Sequence, residues 1–403
     1  MAGDHVAFDC RFKGLLMTVK TVHFRVDNGD MTLIFLESGR VILTDINIRG
    51  KADDPNDPTP NVAQQLRKLL KRDEKGRLYV DAFLLTHPDE DHIRGLMKHF
   101  HLGPPSTWVK SSDKIVIKEM WSSPIVFRRA DKKDHNLCDD AKAWASEARR
   151  RVQLFKDASW ASDGDRVKIL GEDIDGKTNG LRAILVKIEE TFDTICGVTD
   201  NSFVARLLAP QPTENEAEEE EFTKNNSSVI LHLSLKIAGT TKARYLLCGD
   251  AEVAIWEKIW NHHKNNPERL QYDVLIAPHH CSWHSLSWDS WSDFGESARL
   301  SADARKALGQ AQKSAFIIAS SKAIKDDEDD PPCIRAKREY LAIVRGVGGQ
   351  FICLGEGAET EPLILTIGEP KKPEKLLRPA TTAAGAFTFP NRPVAPDKPG
   401  GFA

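Results

Sequence analysis

Several side chains able to bind a metal ion are concentrated in one short segment, HPDEDH at 87–92. Imidazole and carboxylate groups are the usual protein ligands of zinc and manganese. The apolar run YVDAFLLT at 79–86 leads directly into this segment, so a turn at the end of a strand would point these groups at one centre. This density favours a metal site over a solvated acidic turn with incidental histidines. The ligands predicted here are His87, Asp89, Asp91 and His92.

Two further strand ends carry residues of the same chemical types. Gly249-Asp250 follows the β-like run YLLC, and an aspartate at that place could bridge two metal ions as a shared carboxylate. The segment PHHCS at 278–282 follows the buried run YDVLIA and supplies His279 and His280. A strand-ending Gly-Asp alone usually marks a turn. Three strand ends with ligand-type residues together predict a metal centre.

The elements that must position these residues predict sheets covered by helices. Residues 18–47 have the pattern of consecutive antiparallel strands, interrupted at Asn28-Gly29-Asp30. Further β-like runs lie at 79–86, 163–170, 181–188, 228–235, 243–250, 272–278 and 314–320. Helical spacing of apolar residues occurs at 62–70, 139–156, 251–260 and 336–344.

Composition limits the class of protein. The chain of 403 residues is 40% hydrophobic and 29% charged, which excludes wholesale disorder. A formal net charge of -3 argues against a protein that coats nucleic acid through bulk positive charge. The seven cysteines are scattered without a C-x-x-C pair, so no disulfide framework is indicated. With no signal peptide pattern and no run of about 18 apolar residues, we expect a cytoplasmic protein without membrane contact.

The motifs occur in an order that resembles the metallo-β-lactamase superfamily and, within it, the hydrolase domain of ComEC-type competence proteins. The matching segments, spread over about residues 18–350, are LLTHPDEDHIRGL (84–96), SDGDRVKI (162–169), KNNSSVILHL (224–233), YLLCGDAE (245–252) and VLIAPHHCS (274–282). The resemblance implies a four-layer αββα sandwich with the metal centre between the loop edges of the inner sheets. We expect residues 1–368 to form this hydrolase domain, with an insert over the site at about 101–165. The Pro/Gly/Ala-rich residues 369–403 are predicted to be a disordered tail.

The resemblance also implies a ligand set for two divalent ions, zinc or manganese. His87 and Asp89 would bind the first ion and Asp91 and His92 the second. Asp250 would bridge the two ions, and His279 would complete the second site. Familiar members of the superfamily have histidine at the position of Asp89, and a further histidine before the bridging aspartate that has no counterpart here. Cys281 replaces a glycine of the usual motif, and we interpret it as a packing residue rather than a soft ligand.

Such a centre would activate a water molecule for attack on an ester or phosphodiester. Asp91 or Asp250 could orient that nucleophile or accept its proton, and His280 or Ser282 could contact the leaving group or a phosphate oxygen. Asn226 falls where the superfamily has an Asn near the site. The resemblance therefore implies a phosphodiesterase or nuclease acting on nucleic acid or a nucleotide.

Two other functions stay open. A small-molecule hydrolase of the same fold would act on a cyclic nucleotide, lactone or thioester, and a catalytically silent scaffold would bind a partner. A groove lined by Lys and Arg would favour a polymer, whereas a closed pocket under residues 101–165 would favour a small ligand. Arg149-Arg150-Arg151 with Trp144 could form a phosphate-binding face with a stacking ring, but a charged outer helix face is the favoured interpretation.

Overall fold

Two large β-sheets dominate the structure, a computed structural model that describes residues 18–54, 56–132, 136–211, 213, 219, 222–368 and 377–379. The first sheet has the strand order β20-β19-β1-β2-β3-β5-β7-β8-β9, with β6 added beside β7. Its strands are β1 Lys20–His23, β2 Thr32–Phe35, β3 Val41–Thr44, β5 Tyr79–Leu84, β6 Phe100–His101, β7 Ile115–Ser122, β8 Arg166–Leu170, β9 Leu185–Val186, β19 Leu363–Ile367 and β20 Leu377–Pro379. The short β4, Ile46–Asn47, follows β3.

The second sheet has the order β10-β13-β14-β15-β16-β17-β18. Its strands are β10 Thr191–Phe192, β13 Phe203–Ala209, β14 Ile230–Ile237, β15 Thr240–Leu247, β16 Tyr272–Ile276, β17 Ala311–Lys322 and β18 Gln350–Gly355. A small antiparallel pair joins β11, Thr194–Ile195, to β12, Val198–Thr199. The α-helices of the described residues are α1 Val62–Leu69, α2 Glu90–Ile93, α3 Leu96–His99, α4 Pro124–Lys132, α5 Asp139–Ala158, α6 Val253–His263, α7 Trp291–Phe294, α8 Ala302–Leu308 and α9 Ile334–Gly346.

The two sheets face each other across a shared apolar core. Leu84 and Trp121 of the first sheet belong to the same buried cluster as Leu231, Ile276 and Ile318 of the second. Because side chains alternate along a strand, the neighbours of these residues point to the outer faces. A mixed α/β architecture with facing sheets, as expected from the sequence, is therefore present.

Helices cover both outer faces. Phe83 of the first sheet packs with Leu66 of α1 and Trp144 of α5 in one buried cluster. Leu275 of the second sheet packs in another with Trp256 of α6, and Tyr340 of α9 lies in the same cluster. The layers therefore run helix, sheet, sheet, helix. This is a mixed α/β sandwich, with sheets covered by helices as the sequence predicts.

Residues 101–165, interpreted from the sequence as an insert, contribute to the first sheet itself. They supply β7, which pairs in parallel with both β5 and β8. They also supply α5, whose Asp140 carboxylate accepts hydrogen bonds from the backbone N–H groups of Gly95 at 2.8 Å and Met97 at 2.7 Å. The helix is thus docked against the turn that follows the HPDEDH segment.

Some local predictions differ from the structure. The run 181–188 was expected to be a strand, but only Leu185–Val186 pairs, because a turn precedes it in which Ile184 N–H donates to the carbonyl of Leu181. The predicted disordered tail lies outside the described residues, except for the strand Leu377–Pro379. Among the helices of the described residues, none is long and apolar enough to cross a membrane.

The parallel strands bring their carboxyl ends to one edge of each sheet. In the first sheet, Leu84 pairs with Thr44 of β3 and with Trp121 of β7. In the second sheet, Leu246 of β15 is level with Leu275 of β16, and Ile276 is level with Ile318 of β17. Residues that follow these strands are therefore collected at two edges, where open sheets commonly place binding sites.

Candidate metal centre

The edge of the first sheet supplies one half of the centre. His87 follows β5 and Asp45 follows β3, and both side chains are fully buried. The Asp45 carboxylate accepts hydrogen bonds from the backbone N–H of Thr86 at 2.8 Å and from its hydroxyl at 2.6 Å. The short helix α2 begins after Asp89 and turns His92 into the same interior, where it is fully buried.

The edge of the second sheet supplies the other half. Asp250 follows β15 and is buried, and the turn after β16 carries the two adjacent histidines. His279, His280 and Cys281 have φ values of 49°, 52° and 70°, so three successive non-glycine residues adopt left-handed backbone. Such conformations are costly and persist only where the surrounding structure holds them. Here the N–H of His279 donates to the carbonyl of Gly249 at 3.0 Å, which ties the two strand ends together.

Cys281 has a φ of 70°, in the left-handed region that favours glycine. Its side chain is fully buried, and burial raises the pKa of its thiol well above the ordinary value. A protonated buried thiol fits the packing role expected for this residue.

The two edges approach each other at Thr86 and Gly249. The N–H of Val229 donates to the carbonyl of Thr86 at 2.9 Å, which links the two halves of the centre. A Cβ on Gly249 would lie 2.9 Å from the Cβ of Thr86 and 3.0 Å from that of Ser228, and its φ is +50°. Only glycine therefore fits between the halves without displacement.

Two groups of ligand-type side chains result, and they share Asp250. In each group the ligand atoms lie within 4.8 Å of one another. The first group is His87, Asp89 and Asp250. The second group is Asp30, His92, Asp250 and His280, all buried. Both groups could hold a metal ion.

In the first group, Nε2 of His87 lies 3.5 Å from Oδ2 of Asp89 and 3.5 Å from Oδ2 of Asp250. Nε2 of His87 is buried and makes no hydrogen bond. Lys224 also enters this group, with Nζ 2.5 Å from Oδ1 of Asp89. The further histidine missing from the sequence motif is likewise not part of this group among the described residues.

In the second group, Nε2 of His92 lies 3.1 Å from Oδ1 of Asp250 and 3.2 Å from Nε2 of His280. Oδ1 of Asp250 is buried and has no hydrogen-bond partner. Nδ1 of His280 lies 3.1 Å from the carbonyl of Ser320, which fixes the ring. Buried polar atoms without partners are uncommon in proteins. A cation in the first group would give His87 Nε2 a partner, and a cation in the second group would give Asp250 Oδ1 a partner. The donor set therefore fits a metal ion.

The protonation equilibria show how strongly these groups are coupled. Burial alone would raise the pKa of Asp250, but the surrounding imidazoles hold it well below its usual range. Burial opposes protonation of His87, yet Asp250 and Asp89 raise its pKa to about 9. For His280 the same competition between burial and the carboxylates of Asp250 and Asp91 gives a pKa of about 10. Without a metal, protons on imidazole balance the carboxylates; metal binding would displace them.

Asp91 and His279, both predicted as ligands of the second ion, border the second group. Oδ2 of Asp91 lies 3.3 Å from Nε2 of His280, and its side chain is 32% exposed. Nε2 of His279 lies 3.8 Å from Oδ2 of Asp250, but His279 belongs to neither of the two groups that share Asp250. Of the two adjacent histidines, the structure brings His280 into the group.

The predicted substrate contacts are less accessible. Ser282 is fully buried, and its hydroxyl accepts a hydrogen bond from the N–H of His284 at 3.0 Å, which caps a short 3₁₀ turn. Its side chain is therefore not accessible to a substrate. Asn226 is buried as well, and its Oδ1 has no hydrogen-bond partner.

Two residues of the centre were missed by the sequence argument. Asp30 joins the second group, and burial raises its pKa to about 6. Asp45 contacts Nδ1 of His92 at 2.8 Å. Asp45 follows an apolar strand, as the predicted ligands do, but no other ligand-type residue stands beside it in the sequence. Asp30 precedes a strand and belongs to the Asn28-Gly29-Asp30 turn.

An open groove of about 540 Å³ lies over Asp89 and Asp91. Its cationic lining residues are Arg49, Arg94, Lys224 and Lys322. A separate cavity of about 570 Å³ lies beside α5, lined by Phe127, Ala145 and Leu181 among others, and it contains none of the ligand candidates.

The arginine run of α5 does not form a stacking face. Trp144 is fully buried and its indole N–H donates to the hydroxyl of Ser122 at 3.0 Å. Arg150 and Arg151 both pair with Glu147, at 2.6 Å and 2.8 Å. Trp144 therefore cannot stack on a base. Arg151 is itself fully buried, so it does not belong to the charged outer face expected from the sequence.

A third group, Glu189, His262 and His263, lies apart from the centre. Nε2 of His263 is 3.0 Å from Oε1 of Glu189, and Arg269 lies 3.3 Å from Oε2 of the same carboxylate. The arginine already neutralises this glutamate, so the group is a weaker candidate for a divalent ion.

No protein-family model matches the sequence, and no curated protein is significantly similar to it. Among solved structures, the crystal structure of unliganded yeast PDE1 is similar to this chain with a TM-score of 0.37 and 13% sequence identity. The alignment covers 86% of this chain and 99% of that chain. Two chains at this TM-score differ too much for one to inform on the fold or activity of the other.

Proposed function

We propose that this protein is a metal-dependent hydrolase of the metallo-β-lactamase superfamily that cleaves phosphodiester bonds. The observation that carries the proposal is the pair of buried His/Asp groups sharing Asp250, placed under an open groove lined by cations. The helix, sheet, sheet, helix layering and the position of the groups at the sheet edges support the superfamily. The finer likeness to ComEC-type domains rests on the sequence motifs alone.

A divalent ion, zinc or manganese, would supply a Lewis acid and an acidified water when bound. The second group would hold it through His92, His280 and Asp250, so we assign His280 as a ligand in place of His279. Asp250 would serve both groups. Asp91 faces the groove and is partly exposed, so it is placed to orient the attacking water and to accept its proton.

The groove supports a phosphate-bearing substrate that extends beyond the centre. Each groove cation pairs with a carboxylate, for example Arg94 with Glu90 at 3.0 Å and Lys322 with Asp329 at 2.7 Å. Partly exposed pairs of this kind contribute little to stability, so phosphate groups can compete for the cations. Four carboxylates, of Asp27, Asp89, Glu90 and Asp91, line the groove together with the four cations. We take the cations as the feature that favours a nucleic acid or nucleotide over a small neutral ester, since a metal ion would offset the carboxylates beside the centre. The cavity beside α5 does not reach the ligand residues, which weakens the small-molecule alternative.

The test is hydrolysis by purified protein supplied with Mn²⁺ or Zn²⁺. The substrates are single- and double-stranded DNA, RNA, bis-p-nitrophenyl phosphate, a cyclic nucleotide, a lactone and a thioester. We expect cleavage of at least one phosphodiester, lost in His92→Ala and Asp250→Asn variants that keep the native circular dichroism spectrum. Glu189→Gln, in the third group, is the control and should retain activity.

Cleavage only of the lactone or thioester would replace phosphodiesters with small esters as the substrate class. A protein that binds metal but cleaves none of the substrates would contradict the hydrolase proposal and favour a binding scaffold. Equal activity in Asp250→Asn and the wild type would place the chemistry elsewhere.

A further inference from the structure

Lys224 lies inside the first ligand group rather than at the edge of the groove. Its Nζ is 2.5 Å from Oδ1 of Asp89, and the two side chains are only 21% and 17% exposed. The 3₁₀ turn Asn225–Ser227 begins directly after Lys224, and the N–H of Ser227 donates to the Lys224 carbonyl at 3.0 Å. The ammonium is thus positioned by folded backbone on the other sheet.

The other groove cations have different partners. Arg49 pairs with Asp27, and Lys322 with Asp329. Neither of those carboxylates belongs to a ligand group. Lys224, in contrast, neutralises a carboxylate that faces His87 through its second oxygen, since Oδ2 of Asp89 is the atom 3.5 Å from the imidazole.

The two ligand groups consequently differ in charge. The first group has Asp89 and a share of Asp250, with one ammonium in direct contact. The second group has Asp30 and the same share of Asp250, and the carboxylate of Asp91 lies 3.3 Å from its His280. A dication entering the first group is repelled by Lys224 at close range. The second group offers more negative charge, and no Lys or Arg of the described residues pairs with its carboxylates.

We propose that the Lys224 ammonium makes the two metal positions unequal in their affinity for divalent ions. The inference rests on the proposed function. One divalent ion binds tightly at the second group, and the first group fills only at higher metal concentration. Lys224 acts as a positioning residue for Asp89. Its ammonium pairs with Oδ1 of Asp89, and Oδ2 of Asp89 stays directed at His87.

The experiment is a calorimetric titration of metal-free protein with Mn²⁺ and with Zn²⁺. Wild type is expected to show a tight and a weak binding event. Lys224→Met, which keeps the length of the side chain without its charge, is expected to tighten the weak event by about tenfold or more and to leave the tight event nearly unchanged. Lys224→Gln provides a second neutral variant should the first fold poorly. Lys322→Met, a change of the same kind in the same groove, should leave both events as in wild type.

Mn²⁺ also gives a spectroscopic readout. At one equivalent the wild type should show the spectrum of an isolated ion, and spin coupling should appear only at excess metal. Two equally tight ions in the wild type would overturn the proposal, as would a weak event unchanged in both Lys224 variants. Absence of any metal binding would overturn the proposed function together with this inference, whereas the first two outcomes leave the proposed function standing.

Discussion

Oδ2 of Asp45 lies 2.8 Å from Nδ1 of His92, and both side chains are fully buried. An ionised carboxylate can only accept, so Nδ1 of His92 carries the hydrogen of this bond. Burial opposes protonation of His92, but Asp250 and Asp45 raise its pKa well above the ordinary value, so Nε2, 3.1 Å from Oδ1 of Asp250, carries a proton as well. A metal ion would displace the proton on Nε2. Asp45 therefore selects the tautomer of His92 that a metal ion requires.

Asp45→Asn should weaken metal binding by about 10- to 100-fold, since partners of ligating histidines typically contribute that much. The asparagine can still accept the Thr86 N–H, so the fold should persist. Competition with a chelator measures the affinity. The control is Asp81→Asn, a buried carboxylate in the same sheet that pairs with Lys118 at 2.8 Å and should not affect metal binding. An Asp45→Asn affinity equal to wild type would show that the His92 tautomer is fixed by other contacts.

Gly249→Ala should separate the two halves of the centre. Its Cβ would lie 2.9 Å from Thr86 at a φ of +50°, so the variant combines backbone strain with a clash. We expect the free energy of unfolding to fall by about 2 to 4 kcal/mol, together with weaker metal binding. Gly239→Ala is the matched control, because its φ is +76° but no atom lies within 4 Å of the added Cβ. It should lose only about 1 kcal/mol, measured by urea unfolding. Equal losses in the two variants would mean that close approach at Gly249 does not matter.

Neutralising the groove should affect a polymer more than a small ester. Arg49→Gln combined with Arg94→Gln is expected to raise KM for a nucleic-acid substrate about fivefold or more and to reduce the salt dependence of binding. kcat for bis-p-nitrophenyl phosphate should change little. Arg335→Gln, whose side chain pairs with Glu296 at 3.0 Å instead, serves as the control. A double variant with unchanged KM at all salt concentrations would remove the groove from substrate binding.

His23 should make stability depend on pH in the mildly acidic range. Burial lowers its pKa from 6.5 to about 3, so below pH 6.5 the unfolded chain takes up a proton that the folded chain does not. Stability is therefore retained above that pH and lost as pH falls towards 3. Between pH 7 and pH 5 the metal-free wild type should lose about 2 kcal/mol more than His23→Gln. Urea unfolding at several pH values measures this, and parallel curves for the two proteins would contradict it.

The sequence predicted the sheets and three of the strand ends that form the centre, because each ligand segment follows a strong apolar run. Asp250 and the HPDEDH segment could be assigned for that reason. Strand β13 was not predicted, since a short apolar run such as FVARLLA does not by itself distinguish strand from helix.

The finer geometry depends on backbone angles and long-range contacts that a sequence does not display. His279 and His280 are adjacent and chemically identical, and left-handed φ values at both decide which imidazole enters the group. Lys224 belongs to a polar segment with no ligand pattern, and only the packing of two sheets brings it to Asp89. Asp45 acts on the centre through its contact with Nδ1 of His92, a residue forty-seven positions further along the chain.

The proposed function depends on the buried groups around Asp250 forming a metal centre. Crystals grown with zinc and measured across the zinc absorption edge test it most directly. The strongest anomalous peak is expected between His92, His280 and Asp250, with any second peak beside His87 and Asp89. Absence of density there, or a peak only at Glu189 and His263, would contradict it.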